Sequence, residues 1–68
     1  MTVLVNGEPR QLAERTTVAQ LLESLAGVRE GRGMAVALDG EVVPRGRWNA
    51  TEVPDGASVE IVVAVQGG

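Results

Sequence analysis

The stretch Ser58 to Val65 is apolar on both faces of an extended chain. Val59, Ile61, Val63 and Val65 share one side, and Glu60, Val62 and Ala64 share the other. A strand with apolar residues on both sides belongs at the centre of a sheet, where both faces have company. The rest of the chain therefore has to supply its neighbours and a cover, and it has only 68 residues to do so. That length allows one domain. Small domains of this size commonly lean on disulfides or a metal, but the chain has neither cysteine nor histidine. Its stability has to come from close packing of Val, Leu, Ile, Ala and Met, with Trp48 as the only aromatic residue.

The neighbours are legible. Residues 1–6 alternate, with Met1, Val3 and Val5 on one face and Thr2, Leu4 and Asn6 on the other, the pattern of a half-buried strand. Asn6-Gly7 follows, and an Asn-Gly pair favours the type I′ hairpin, whose two central residues need positive φ. The return strand is expected over Glu8 to Ala13, with Leu12 inward. Pro9 lacks a donor, so this strand should lie at a sheet edge. Thr17 to Ala26 reads as a helix, because Val18, Leu21, Leu22 and Leu25 form one apolar stripe. Thr17 and Gln20 have capping-box spacing, and Gly27 suits a left-handed helix end.

Val28 to Gly33 reads as a polar connection. Met34, Val36 and Leu38 should then face the core from a third strand, with Asp39-Gly40 as a second tight turn. Glu41-Val42-Val43 is a short strand, which Pro44-Arg45-Gly46-Arg47 breaks, and Trp48 should fold back over one end of the core. Pro54-Asp55-Gly56 is a third turn before the final strand. The expected fold is α+β: a mixed four- to five-stranded sheet with one main helix on one face. The first and last strands would run parallel at its centre, because the helix returns the chain to the same sheet. That is the β-grasp, or ubiquitin-like, arrangement. Residues 1–65 form the domain in this reading, and 66–68 a flexible tail. Leu4, Ala35, Ala37, Val62 and Ala64 would point away from the helix. Clustered there, they offer a docking patch for a partner, with Leu4, Val62 and Ala64 as its candidate contacts.

The same absences prune the chemistry. Without Cys or His there is no thiol nucleophile, Ser-His pair or thiolate zinc site. Carboxylate pairs remain, but they need a cleft that so short a chain has little surface to build. The chain is therefore not expected to be an enzyme, nor to bind a metal or cofactor. A net charge of −3 disfavours nucleic acid and anionic membranes as partners. Neither a signal peptide nor a membrane span is expected, which leaves a cytoplasmic protein, monomeric alone. All six basic residues are arginine. Codon bias accounts for this, although a chain without lysine also cannot capture its own activated carboxyl end on a side-chain amine.

The tail offers a reactive group. Gln66-Gly67-Gly68 follows the final strand closely, and its two glycines are slim enough to thread a narrow channel. A terminal carboxylate, with a pKa of about 3.5, is ionised at neutral pH and is a poor acyl donor until activated. Adenylation by ATP would supply AMP as leaving group. Glu30-Gly31-Arg32-Gly33 lacks the Lys-Ser/Thr end of a phosphate-binding loop, so ATP would be bound by a partner.

Several segments resemble the ThiS family of thiamin-biosynthesis sulfur carriers: Val5-Asn6-Gly7-Glu8, Thr17-Val18 with Leu21-Leu22, and Ala35-Val36-Ala37-Leu38. So do Val43-Pro44-Arg45 with Trp48, and Val59-Glu60-Ile61 with Ala64-Val65-Gln66-Gly67-Gly68. The resemblance spans the chain. It implies that Gly68 is adenylated by a ThiF-like enzyme and converted to a thiocarboxylate, with Gly67 and Gln66 leading to it. The sulfur would then pass to a ThiG-like thiazole synthase. Asp39-Gly40 stands where the family usually has Asn-Gly, and Ala57 replaces a frequent acidic residue; neither touches the tail. A carrier for molybdopterin or cysteine synthesis, or a ubiquitin-like modifier of lysines, would use the same terminus.

Overall fold

The computed structural model describes residues 1–25 and 33–63. Its strands are β1 (Thr2–Val5), β2 (Glu8–Gln11), β3 (Met34–Leu38), β4 (Glu41–Val43) and β5 (Ser58–Val63), with helix α1 (Val18–Ser24) and a 3₁₀ helix (Arg45–Ala50). The strands form one sheet in the order β2-β1-β5-β3-β4. β1 and β5 pair in parallel, with Leu4 opposite Ser58 and Val5 opposite Val59; the other neighbours are antiparallel. This mixed five-stranded sheet with a helix on one face is the β-grasp arrangement, and the doubly apolar β5 takes its centre.

Local chemistry explains the hairpins. Asn6 and Gly7 have φ of 51° and 86°, and Asp39 and Gly40 of 50° and 88°. Positive φ at both central residues is the type I′ geometry, whose twist matches the flanking strands. β2 is an edge strand, which tolerates Pro9.

Helix α1 is shorter than the Thr17–Ala26 span expected from its stripe. Thr17 is its N-cap, and the capping box is complete: the Thr17 hydroxyl accepts from the Gln20 N–H, and the Gln20 carboxamide accepts from the Thr17 N–H. At the other end Leu25 is already extended, at φ −92° and ψ 134°. The chain thus leaves the helix at Leu25, and Gly27, the expected helix end, lies outside the described residues. Leu25 still packs on the core from outside the last turn. β2 likewise ends at Gln11, not Ala13: the Leu12 N–H donates to the Met1 carbonyl, and a turn begins at Ala13 whose carbonyl accepts from the Thr16 hydroxyl. The expected connection Val28–Gly33, and Ala26, Gly27, Ala64, Val65, Gln66, Gly67 and Gly68, lie outside the described residues apart from Gly33.

Val3, Val5, Val18, Leu21, Leu22, Val36 and Val59 form the middle of one core, with Val53 and Ala57 closing it from the segment before β5. Those last two carry no periodic signal; they are inward because two backbone bonds tie the segment to the start of α1, Val18 N–H to Thr51 C=O and Val53 N–H to Thr16 C=O. Trp48 is buried, as expected, but on a 3₁₀ helix rather than an irregular fold-back. Its indole N–H donates to the Val43 carbonyl at 2.8 Å, and the Arg45 guanidinium lies 5.7 Å from its ring centroid. Trp48→Phe keeps an aromatic ring and removes the donor. It should cost about 1–2 kcal/mol in a thermal or urea melt, the cost of a buried acceptor left unmade. A loss within experimental error would show that the indole N–H bond to Val43 makes no net contribution to stability.

Candidate functional site

The face of the sheet away from α1 carries Leu4 on β1, Val62 on β5, and Ala35 and Ala37 on β3. Period-two alternation puts them there, because Val3, Val5, Val36 and Val59 point into the core. Leu4 is 41% and Val62 64% exposed. The register sets Val62 directly opposite Ala35. Ala64, the third candidate contact, lies outside the described residues, as do Gln66, Gly67 and Gly68.

One member of this face was not read from the sequence. Val42, on β4, is 73% exposed and pairs with Ala37. The signal was available, since a two-residue turn at Asp39-Gly40 forces Leu38 opposite Glu41 and Ala37 opposite Val42. The face thus runs across four strands, from Leu4 through Val62 and Ala35 to Val42, with the Glu60 carboxylate among these apolar groups. Such a surface suits a partner that is apolar with a cation near its middle.

Burial falls along β5 toward the tail: Val59 is 0% exposed and Val63, on the same side, is 61% exposed. Val63 shares the core face, as its alternation predicts, but stands beyond the end of the core. On the β1 side the backbone ladder stops at Val5 opposite Val59. There the Asn6 side chain takes over: its Oδ1 accepts from the Ile61 N–H at 2.8 Å, and its Nδ2 donates to the Ile61 carbonyl at 3.3 Å. No sequence signal marked this role, since the two residues are 55 positions apart.

Among the described residues, no three Asp or Glu side chains gather as metal ligands, and no helix is long and apolar enough to cross a membrane. What the described part of the chain presents is an apolar sheet face beside the strand that leads to the terminal glycines.

The model of the ThiS family matches residues 3–68, which include those glycines. This chain belongs to the ThiS family. The sulfur carrier protein ThiS of Escherichia coli is 34% identical over the full length of both chains. The crystal structure of a thiamine biosynthesis protein, ThiS, from Geobacter metallireducens superposes with a TM-score of 0.82 at 37% identity, again over both whole chains. A solution structure of a thiamine biosynthesis protein from the same organism gives 0.79 at 37% identity, covering 88% of that chain. A thiazole synthase from Paramagnetospirillum magneticum is 38% identical over all 68 residues of this chain, which span 20% of its length. A ThiS-like region is thus part of one protein that bears the name of thiazole synthase.

Proposed function

We propose that this chain is the sulfur carrier of thiazole formation in thiamin biosynthesis, with the Gly68 carboxylate as its working group. The match to the ThiS family over residues 3–68, a span that takes in Gly67 and Gly68, is the observation that supports this reading. Chemistry agrees with it. A carboxylate oxygen of Gly68 attacks the α-phosphorus of ATP on a ThiF-like enzyme, pyrophosphate leaves, and an acyl adenylate forms. A sulfide-level nucleophile then attacks the acyl carbon. The new C–S bond replaces the C–O bond to AMP, which leaves with its electron pair, and a thiocarboxylate results. This chain supplies the acyl group and the surface by which it is held; the ATP site and the sulfur source belong to partners.

The P. magneticum relative favours thiazole synthase as the acceptor over enzymes of molybdopterin or cysteine synthesis. Joining two modules in one chain raises their effective concentration for each other, which is useful when one must repeatedly present a group to the other. The test is intact mass spectrometry of protein taken from its native host. A mass gain equal to sulfur replacing one oxygen is expected at the terminal residue. Conjugates to lysines of other proteins, with no thiocarboxylate, would overturn the carrier reading.

Leu4, Val62 and Ala64 serve in this reading as contacts with the activating enzyme, now joined by Val42. Val62→Asp places a charge on an exposed site, where substitutions normally shift stability by less than about 0.5 kcal/mol. Docked, that charge would be desolvated without a partner. Affinity for the ThiF-like enzyme should fall at least about tenfold, which corresponds to about 1.4 kcal/mol. Calorimetry of the purified pair measures it, and unchanged affinity would remove this face from the interface.

A further inference from the structure

The final strand is held unequally on its two sides. Toward β3, the antiparallel ladder continues to its last residue, from Leu38 opposite Val59 to Met34 opposite Val63. Toward β1, the ladder has two pairs, Leu4 with Ser58 and Val5 with Val59, and then β1 turns away at Asn6-Gly7. The Asn6 N–H still donates to the Val59 carbonyl at 2.8 Å. Its carboxamide then meets both backbone groups of Ile61, accepting at 2.8 Å and donating at 3.3 Å. A side-chain amide has the same donor and acceptor as a peptide unit. Asn6 therefore adds one more rung to β5 after the neighbouring backbone has gone.

That rung lies just before burial gives out: Ile61 still packs against the core, whereas Val62 and Val63 are 64% and 61% exposed. We infer that Asn6 is a positioning residue for the C-terminal tail: by holding both backbone groups of Ile61, it sets the line along which the chain leaves Val63. It thereby sets where the terminal carboxylate is presented to the activating enzyme. This rests on the carrier function proposed above. It also gives position 6 a requirement beyond positive φ. Glycine would satisfy the turn, but the Asn carboxamide also satisfies both the donor and the acceptor of Ile61.

The fold provides its own control. At the other end of β5, Asp39 occupies the same position of the second hairpin, with φ of 50° against 51° for Asn6. Its Oδ1 accepts from the Ser58 N–H at 2.8 Å, and its own N–H donates to the Ser58 carbonyl at 2.8 Å. Asp39→Gly and Asn6→Gly thus each remove a turn side chain that grips β5 and keep a residue suited to positive φ. One grip lies at the start of the strand and the other toward the tail.

Both variants should lose similar stability in a urea melt. They should separate in ATP–pyrophosphate exchange by the ThiF-like enzyme. Asn6→Gly is expected to lower kcat about tenfold with a smaller change in KM, because a displaced reacting group loses rate steeply. Asp39→Gly should stay within about twofold, since its backbone grip is far from the reacting end. Asn6→Asp keeps the acceptor, sets a carboxylate oxygen against the Ile61 carbonyl, and should not rescue. Residual dipolar couplings at the amides of Ile61 to Val63 should change in Asn6→Gly and persist in Asp39→Gly. Equal exchange kinetics in the two glycine variants, or unchanged couplings in Asn6→Gly, would overturn the inference. If the wild-type chain gives no exchange at all, the carrier function fails, and the couplings alone judge whether Asn6 sets the course of the strand.

Discussion

A chain ending at Gly67 is expected to fold as the full chain does and to give no detectable acyl adenylate. Removing Gly68 leaves a carboxylate in place, so charge and acyl chemistry at the terminus are retained. What changes is reach, by about 3.3–3.6 Å, the most that one residue can span. Activation requires the attacking oxygen within roughly 3–3.5 Å of the α-phosphorus, and a misplacement of about 1 Å can cost on the order of a hundredfold. A deficit of a whole residue therefore takes the rate to background. Stability should be unaffected, because the buried core runs from Val3 to Val59. ATP–pyrophosphate exchange and a thermal melt on the same preparation check both halves. Exchange at the wild-type rate would show that Gly68 is not the group activated, and the carrier function would fall with it.

The contrast between tail and core also explains what the sequence disclosed. Elements whose cause is local were readable. Asn6-Gly7 and Asp39-Gly40 each declare a turn, Thr17 and Gln20 a helix start, and the apolar run from Val59 a central strand. Their register then follows, because a two-residue turn leaves only one pairing. The parts that stayed hidden are caused by distant partners. Val53 and Ala57 are inward because their segment is tied to the helix start, with the Thr51 carbonyl accepting from the Val18 N–H and the Val53 N–H donating to the Thr16 carbonyl. The 3₁₀ helix forms where Trp48 reaches the Val43 carbonyl, in a segment that reads as a mere strand breaker. Helix α1 ends at Ser24 although its stripe continues to Leu25, since that side chain reaches the core without a helical backbone.

The candidate site divides the same way. Leu4 and Val62 were found by alternation, which is local, whereas Asn6 became visible only through its contact with Ile61. Gly67 and Gly68 were singled out by chemical elimination and by resemblance. Their closeness to the end of the central strand adds to this, and they lie outside the described residues.

Leu21→Ala should do the reverse of the tail deletion and take away the fold while leaving every reactive group. Leu21 is 1% exposed and is among the largest side chains fully enclosed in the core. Truncating such a leucine costs about 2–5 kcal/mol, the spread reflecting how far the surroundings collapse into the cavity. A single core in a chain this short rarely supplies more than about 3–5 kcal/mol in total. With no cysteine or histidine to staple it, the variant should be substantially unfolded at 25 °C, with its urea midpoint moved close to zero. Leu4→Ala, on the open face and 41% exposed, should barely move that midpoint. Activation of the Leu21 variant should then fall in proportion to its folded fraction and recover when sucrose shifts the equilibrium toward the compact state. The chain lacking Gly68 should show no such recovery. If sucrose restored the truncated chain, the deletion would be acting through stability and not through reach; if unfolded Leu21→Ala were activated at full rate, the tail would not need the sheet to present it.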